Sequence, residues 1–189
     1  TGSAAVVDQH GAWLHCCLRP DGNLLSIAWI ILLLVAAQRL GELLYSRRNE
    51  AQLRDRGGVE IGAGHYPFFF LVHGGWLVTL AVWIALAAPV LNWGWLALFA
   101  VLQLGRVWIV VTLGPYWTTR IITVADAPLI KTGPYRWLRH PNYVLVIAEI
   151  AVLPLAYSAF GIAITFSILN ALLLTHRIRV ENRALLDRR

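Results

Sequence analysis

Lys131-Thr-Gly-Pro-Tyr-Arg-Trp-Leu-Arg-His-Pro-Asn-Tyr143 is basic, aromatic and twice interrupted by proline, and it lies between long apolar blocks. A charged stretch broken by proline has no place in hydrocarbon, where no water satisfies the backbone groups that a helix break leaves free. It reads as a shaped, partly buried site at a membrane surface. It ends where Pro141 opens a helix, a position that needs no N–H. The free N–H groups and positive dipole end of that helix face back into the stretch and favour an anionic group there.

Three apolar blocks precede it: Leu24–Leu44, Tyr66–Ala88 and Trp93–Leu113. Each is near the ~20 residues that span a bilayer. A fourth, Tyr143–Thr175, is broken by Pro154 and Gly161 and reads as a hairpin of two short helices. The expected fold is an all-α integral membrane protein of five transmembrane helices, with a ligand pocket on its cytoplasmic face. Hydrophobic residues make up 58% of the chain, with nine Trp, and the mean hydropathy is +0.62. A soluble bundle would have to bury every one of these blocks on all sides.

The net charge of +6 matters less than its placement. Arg47, Arg48, Arg54 and Arg56 follow the first block; Arg120, Lys131, Arg136 and Arg139 follow the third; Arg177, Arg179, Arg183, Arg188 and Arg189 follow the last. The alternate connections, Pro89–Asn92 and Pro154–Phe160, are uncharged. Five spans put every basic region on one side, which the positive-inside rule makes cytoplasmic, with the N-terminus outside and the C-terminus inside. A belt of cations flanking the membrane, without a recognition motif, gives no support to nucleic-acid binding.

Residues 1–23 differ in character and read as a separate tail, either a remnant of cloning or extracytoplasmic, ahead of a single membrane domain over 24–189. Cys16 and Cys17 are adjacent, so a disulfide between them would be strained, and two cysteines alone make neither a disulfide framework nor a zinc site. There is no P-loop, no GxGxxG and no metal-spaced His/Cys set.

Polar residues inside the blocks are costly and therefore informative. Arg39 and Glu42 are three apart and read as a snorkelling pair at the interface. His73 is either functional or bonded to a neighbouring helix. Arg106 either snorkels or faces the bundle. Glu149 shares a helix face with Asn142 and either lines a polar cavity or pairs with Arg106. Tyr116–Ile130, with Asp126, reads as an extended loop leading to the opening stretch. Arg177 and Glu181, four apart, are either a solvated helix-end pair or one wall of a pocket closing on that stretch. The two elements together offer guanidinium groups, carboxylates and aromatic faces, all of which a zwitterionic, ribose-bearing sulfonium cofactor would use; chemistry alone establishes only a polar ligand site at the membrane surface with a lipid-side entrance.

Gly133-Pro-Tyr-Arg-x-x-Arg-His-Pro-x-Tyr143, followed by Arg177-Ile-x-x-Glu181-x-x-x-Leu185, resembles the isoprenylcysteine carboxyl methyltransferase family of integral membrane enzymes, from about Ile27 to Arg189. Ser46-Arg-Arg-Asn-Glu50, His65-Tyr-Pro67, Gly105-Arg-Val-Trp108 and Tyr143-Val-x-Val-x-x-Glu149 look like a bacterial branch that includes phenolic-lipid O-methyltransferases acting on alkylpyrones and alkylresorcinols. One position departs: where the family usually has two adjacent carboxylates, this chain has Glu181 and Asn182.

The resemblance implies S-adenosylmethionine on the cytoplasmic side, S-adenosylhomocysteine as product, no metal, and a lipid substrate arriving from the bilayer of a bacterial inner membrane. No protein partner is evident from the sequence. Carried over, Lys131, Gly133, Tyr135, Arg139, His140, Pro141, Tyr143 and Glu181 hold the cofactor. Arg139, His140, Arg177, Glu181 and Glu149 are the catalytic candidates, with His140 or Glu149 as a base. His73, Arg106, Asn142 and Glu149 are the substrate candidates. Carboxyl methylation of an isoprenylcysteine is the alternative reaction, and a small transporter or scaffold the alternative outside enzymes.

Overall fold

The computed structural model describes residues 22–125, 127 and 130–186. The expected tail lies outside the described residues up to residue 21, as do Asp126, Arg188 and Arg189 and the side chains of His65, Asn182 and Arg183.

Five α-helices run back and forth between two ends: α1 (Gly22–Asp55), α2 (Tyr66–Ala87), α3 (Trp93–Leu113), α4 (Pro141–Ala156) and α5 (Phe160–Leu186). Helices α1, α2, α3 and α5 are long and apolar enough to cross a membrane, and their outward faces carry large apolar side chains such as Leu34, Leu71, Leu104 and Leu172. Helix α4 has 16 residues, roughly 24 Å at the α-helical rise, against a hydrocarbon core of ~30 Å. Its shortness is tolerable because most of it is enclosed by protein, with Val144 and Ile147 exposed. Leu145, Glu149, Ile150, Leu153 and Ala156 are all buried, and its main neighbours are α3 and α5.

Local chemistry sets the boundaries. The Asn92 side chain caps α3 by accepting from the Gly94 and Trp95 N–H groups at 3.1 and 3.2 Å. Helix α1 continues past the expected Leu44 as far as Asp55, through Ser46–Glu50. It stops where Gly57 takes a φ of 80° and where a Cβ on Gly58 would lie 2.6 Å from the Leu53 carbonyl. The expected hairpin of α4 and α5 is present, but only α4 is short: α5 has 27 residues because it carries straight on through Arg177–Glu181. Gly161 lies inside α5 rather than breaking it; the reversal is made by Tyr157–Ala159, where the Tyr157 and Ala159 N–H groups donate to the Pro154 carbonyl at 3.0 and 2.8 Å.

The uncharged connections meet at one end. There the Asn92 N–H donates to the Ala156 carbonyl at 2.8 Å and Trp83 Nε1 to the Tyr157 carbonyl at 3.0 Å. The basic connections meet at the other. There the segment after α3 forms a short antiparallel pair, β1 (Val59–Glu60) with β2 (Ile122–Thr123), Val59 opposite Thr123. Asn49 Nδ2 donates to the Gly114 and Trp117 carbonyls at 3.0 and 2.8 Å, and the Ser46 hydroxyl accepts from the Thr119 N–H at 2.7 Å. Arg120 bridges Glu60 at 2.6 Å and Glu50 at 3.5 Å. The polar end of α1 thereby braces residues 114–123.

Candidate active site

The basic end is organised around the first turn of α4. Pro141 occupies that turn and His140 precedes it at the N-cap position, without a side-chain capping hydrogen bond. The His140 and Tyr143 rings stack at 5.2 Å with 17° between their planes. Arg177 and Glu181 lie one turn apart on α5, the spacing that would let them pair with each other. In the folded chain both reach the Tyr143 hydroxyl instead. Arg177 Nε donates to it at 2.9 Å, and it donates in turn to Glu181 Oε2. His140 Nδ1 stands 3.7 Å from the same carboxylate oxygen. The Arg177 guanidinium also lies 5.2 Å from the Phe69 ring centroid, so α2, α4 and α5 converge on it.

A cavity of about 190 Å³ opens beside this cluster. Tyr135, Arg139, His140, Asn142, Tyr143, Arg177 and Glu181 form one side, and Tyr116–Thr118 and Arg120–Thr123 form the other. Asn142 Oδ1 is buried there without a hydrogen-bond partner among the described residues. Arg139 is exposed at the edge and has no ion pair among the described residues. Burial, and then the neighbouring Glu181 carboxylate, push the Tyr135 phenol well above its ordinary range, so it stays a neutral donor.

Seven expected residues therefore meet at one cavity. The others lie elsewhere. Lys131 is exposed outside it. Pro141 is buried in the helix start beneath it. Gly133 takes a φ of 54° against α3, where a Cβ would lie 2.6 Å from Thr112 Oγ1. Glu149 and Arg106 form a buried pair: Arg106 Nε donates to Glu149 at 2.8 Å, as do Gln103 and Arg39 at 2.8 Å each. Glu42 accepts from Arg39 at 3.0 Å and from Arg106 at 3.1 Å. Arg39 and Glu42 are thus not a snorkelling interface pair. They complete a four-residue ionic network joining α1, α3 and α4, because in a low-dielectric interior two arginines and two glutamates neutralise each other. His73 Nδ1 lies 2.9 Å from the Phe69 carbonyl of its own helix, and its ring stacks on Phe69 at 6.1 Å.

The wall over Tyr116–Thr123 was missed by sequence reasoning. A signal for it existed: Ser46, Asn49 and Glu50 share one face of a helix above the lipid, and that face had to be satisfied by something.

The model of the isoprenylcysteine carboxyl methyltransferase (ICMT) family matches residues 95–187, which hold the entire cavity lining. The uncharacterized protein YpbQ of Bacillus subtilis (strain 168) is 38% identical over 160 residues, covering 83% of this chain and 95% of that protein. The chain belongs to the ICMT family. Membership in the ICMT family, with four membrane-length helices, makes it a membrane methyltransferase. ICMT-family methyltransferases generally use S-adenosylmethionine. No solved structure matches the chain. The brace at Ser46–Glu60 lies outside the part that the ICMT model matches.

Proposed function

We propose that the chain transfers a methyl group from S-adenosylmethionine to an acidic oxygen of a membrane-embedded lipid, a phenolic lipid of the alkylpyrone or alkylresorcinol type. The observation that carries this reading is the convergence of the Tyr135–Tyr143 stretch with Arg177 and Glu181 on one cavity. The donor set suits such a cofactor. Arg139 is a cation free to meet its carboxylate, the orphaned Asn142 Oδ1 can accept from its ammonium or a ribose hydroxyl, and the Tyr135 and Trp117 rings offer apolar faces for its base. At about 190 Å³ the cavity is below the ~300–1,000 Å³ usual for ligand sites, so a cofactor of this size would fill it and extend past its mouth.

When bound, S-adenosylmethionine supplies a sulfonium methyl that passes to the lipid oxygen with loss of S-adenosylhomocysteine. The protein's part is alignment and exclusion of water. An enolic pyrone is ionised near neutral pH and needs no base. For a resorcinol the base is His140, which lines the cavity; Glu149 is engaged by Arg39, Gln103 and Arg106 away from it. The proposed topology has five crossings with the basic end cytoplasmic, in a bacterial inner membrane, so the alkyl tail stays in lipid throughout. Labelled-methyl transfer by the purified protein tests this, with an alkylpyrone, an alkylresorcinol and a farnesyl-cysteine offered side by side. Product on the phenolic lipids supports the reading. Product on farnesyl-cysteine alone moves it to carboxyl methylation, and no product on any substrate overturns it.

A further inference from the structure

The loop that carries Tyr135 and Arg139 also has an outward face that the cavity does not use. Its Gly133–Arg136 turn packs against the last turns of α3, Gly133 at Thr112 and Trp137 edge-on to Trp108 at 5.9 Å. That contact sets its height. Trp108 is five residues short of the end of α3, so the loop lies roughly 7 Å inside the helix's basic end. Val107, Trp108 and Val111 of α3 are exposed beside it, and Trp137 and Leu138 continue the same apolar surface at 65% and 48% exposure. Directly over Trp137 stands the Arg136 guanidinium, 5.0 Å from the ring. Lys131, Arg136 and Arg139 are all exposed and none has an ion pair among the described residues, whereas Arg54 and Arg120 at the same end are matched by Glu60.

We propose that this face is a binding site for an anionic phospholipid of the adjoining leaflet, its headgroup phosphate held by Arg136 and its glycerol region against Trp137 and Leu138. Charge selects the occupant. A zwitterionic headgroup would bring its own ammonium against Arg136, which has no ion pair among the described residues, and an anionic one does not. Height selects it too. Exposed tryptophan and leucine at the edge of a membrane-length helix belong at the glycerol level, which places the cations above them among phosphates. Such a lipid would hold the loop at fixed depth and so fix the rim of the cavity on which Tyr135 and Arg139 stand. The site is separate from the methyl-transfer reading and its test does not use activity.

The test is native mass spectrometry of the whole purified chain, released from nanodiscs holding equal phosphatidylglycerol and phosphatidylcholine. The wild-type protein should retain phosphatidylglycerol over phosphatidylcholine by roughly fivefold or more, the preference falling with added salt. Arg136→Glu should abolish the preference. Arg47→Glu, an exposed charge reversal elsewhere at the same end, should leave it in place. Equal retention of the two lipids by the wild type, retained preference in Arg136→Glu, or equal loss in Arg47→Glu would each overturn the proposal. The last would reduce it to general attraction between a basic end and an acidic membrane.

Discussion

Arg177 Nε donates to the Tyr143 hydroxyl at 2.9 Å, joining the end of α5 to the first turn of α4. Through that hydroxyl a guanidinium and the Glu181 carboxylate are held one turn apart without touching each other, so both keep hydrogen-bonding capacity facing the cavity. Tyr143→Phe should let them collapse into a direct pair. We expect S-adenosylhomocysteine affinity to fall roughly tenfold, the worth of one charge-assisted hydrogen bond. The loss of melting temperature should stay within a few degrees. Titration calorimetry beside a thermal melt checks both; unchanged affinity would mean that the hydroxyl organises nothing.

The buried network predicts a compensation. Glu149→Gln leaves Arg106 and Arg39 facing one glutamate, and breaking a buried pair from one side costs ~3–5 kcal/mol. At a few degrees per kcal/mol this is on the order of 10 °C in detergent. Arg106→Gln added to Glu149→Gln leaves Arg39 and Glu42 as a neutral pair and should recover most of the loss. Equal melting temperatures for single and double variants would show that charge balance is not what holds α1, α3 and α4 together there.

Gly133 predicts a packing effect at the cavity's edge. Gly133→Ala adds a methyl at a left-handed φ and within 2.6 Å of Thr112 Oγ1. The backbone strain alone costs ~1–3 kcal/mol. Cofactor affinity should weaken as the turn carrying Tyr135 shifts. Thr112→Ala in the same chain removes both Thr112 side-chain atoms that the new methyl would meet and should restore part of the affinity, while the strain remains. Wild-type behaviour of Gly133→Ala would show that the turn has slack.

The Tyr135 phenol predicts an alkaline limb. Its folded value is raised above the unfolded one, so its contribution is complete below about pH 10 and is lost as pH climbs through the folded value. Melting temperature should therefore fall more steeply above about pH 10 in the wild type than in Tyr135→Phe. Identical slopes would place the phenol in solvent.

The helices were readable because lipid imposes their length and composition; Trp93–Leu113 has the same bounds in sequence and structure. The meeting of the Tyr135–Tyr143 stretch with Arg177 and Glu181 was one of two open readings of that helix end, and the family resemblance, not local spacing, favoured it. Partner choice across helices was not readable. Arg39 could be matched with Glu42 from spacing, but nothing local says that Glu149, distant in sequence, completes the set. The Tyr116–Thr123 wall was hidden for the same reason. Its conformation is dictated by Ser46, Asn49 and Glu50 on another helix, and β-branched residues alone specify only an extended chain.

The central claim is that the cavity between the first turn of α4 and the end of α5 holds the methyl donor. Its most direct measure is S-adenosylhomocysteine binding, by titration calorimetry, to the purified wild type, Arg139→Ala and Glu181→Gln, with thermal melts to confirm folding. The wild type should bind, and each variant should fold yet lose roughly tenfold to a hundredfold in affinity, the worth of a charged hydrogen bond. Wild-type affinity in both folded variants would contradict the account and place the donor elsewhere on the protein.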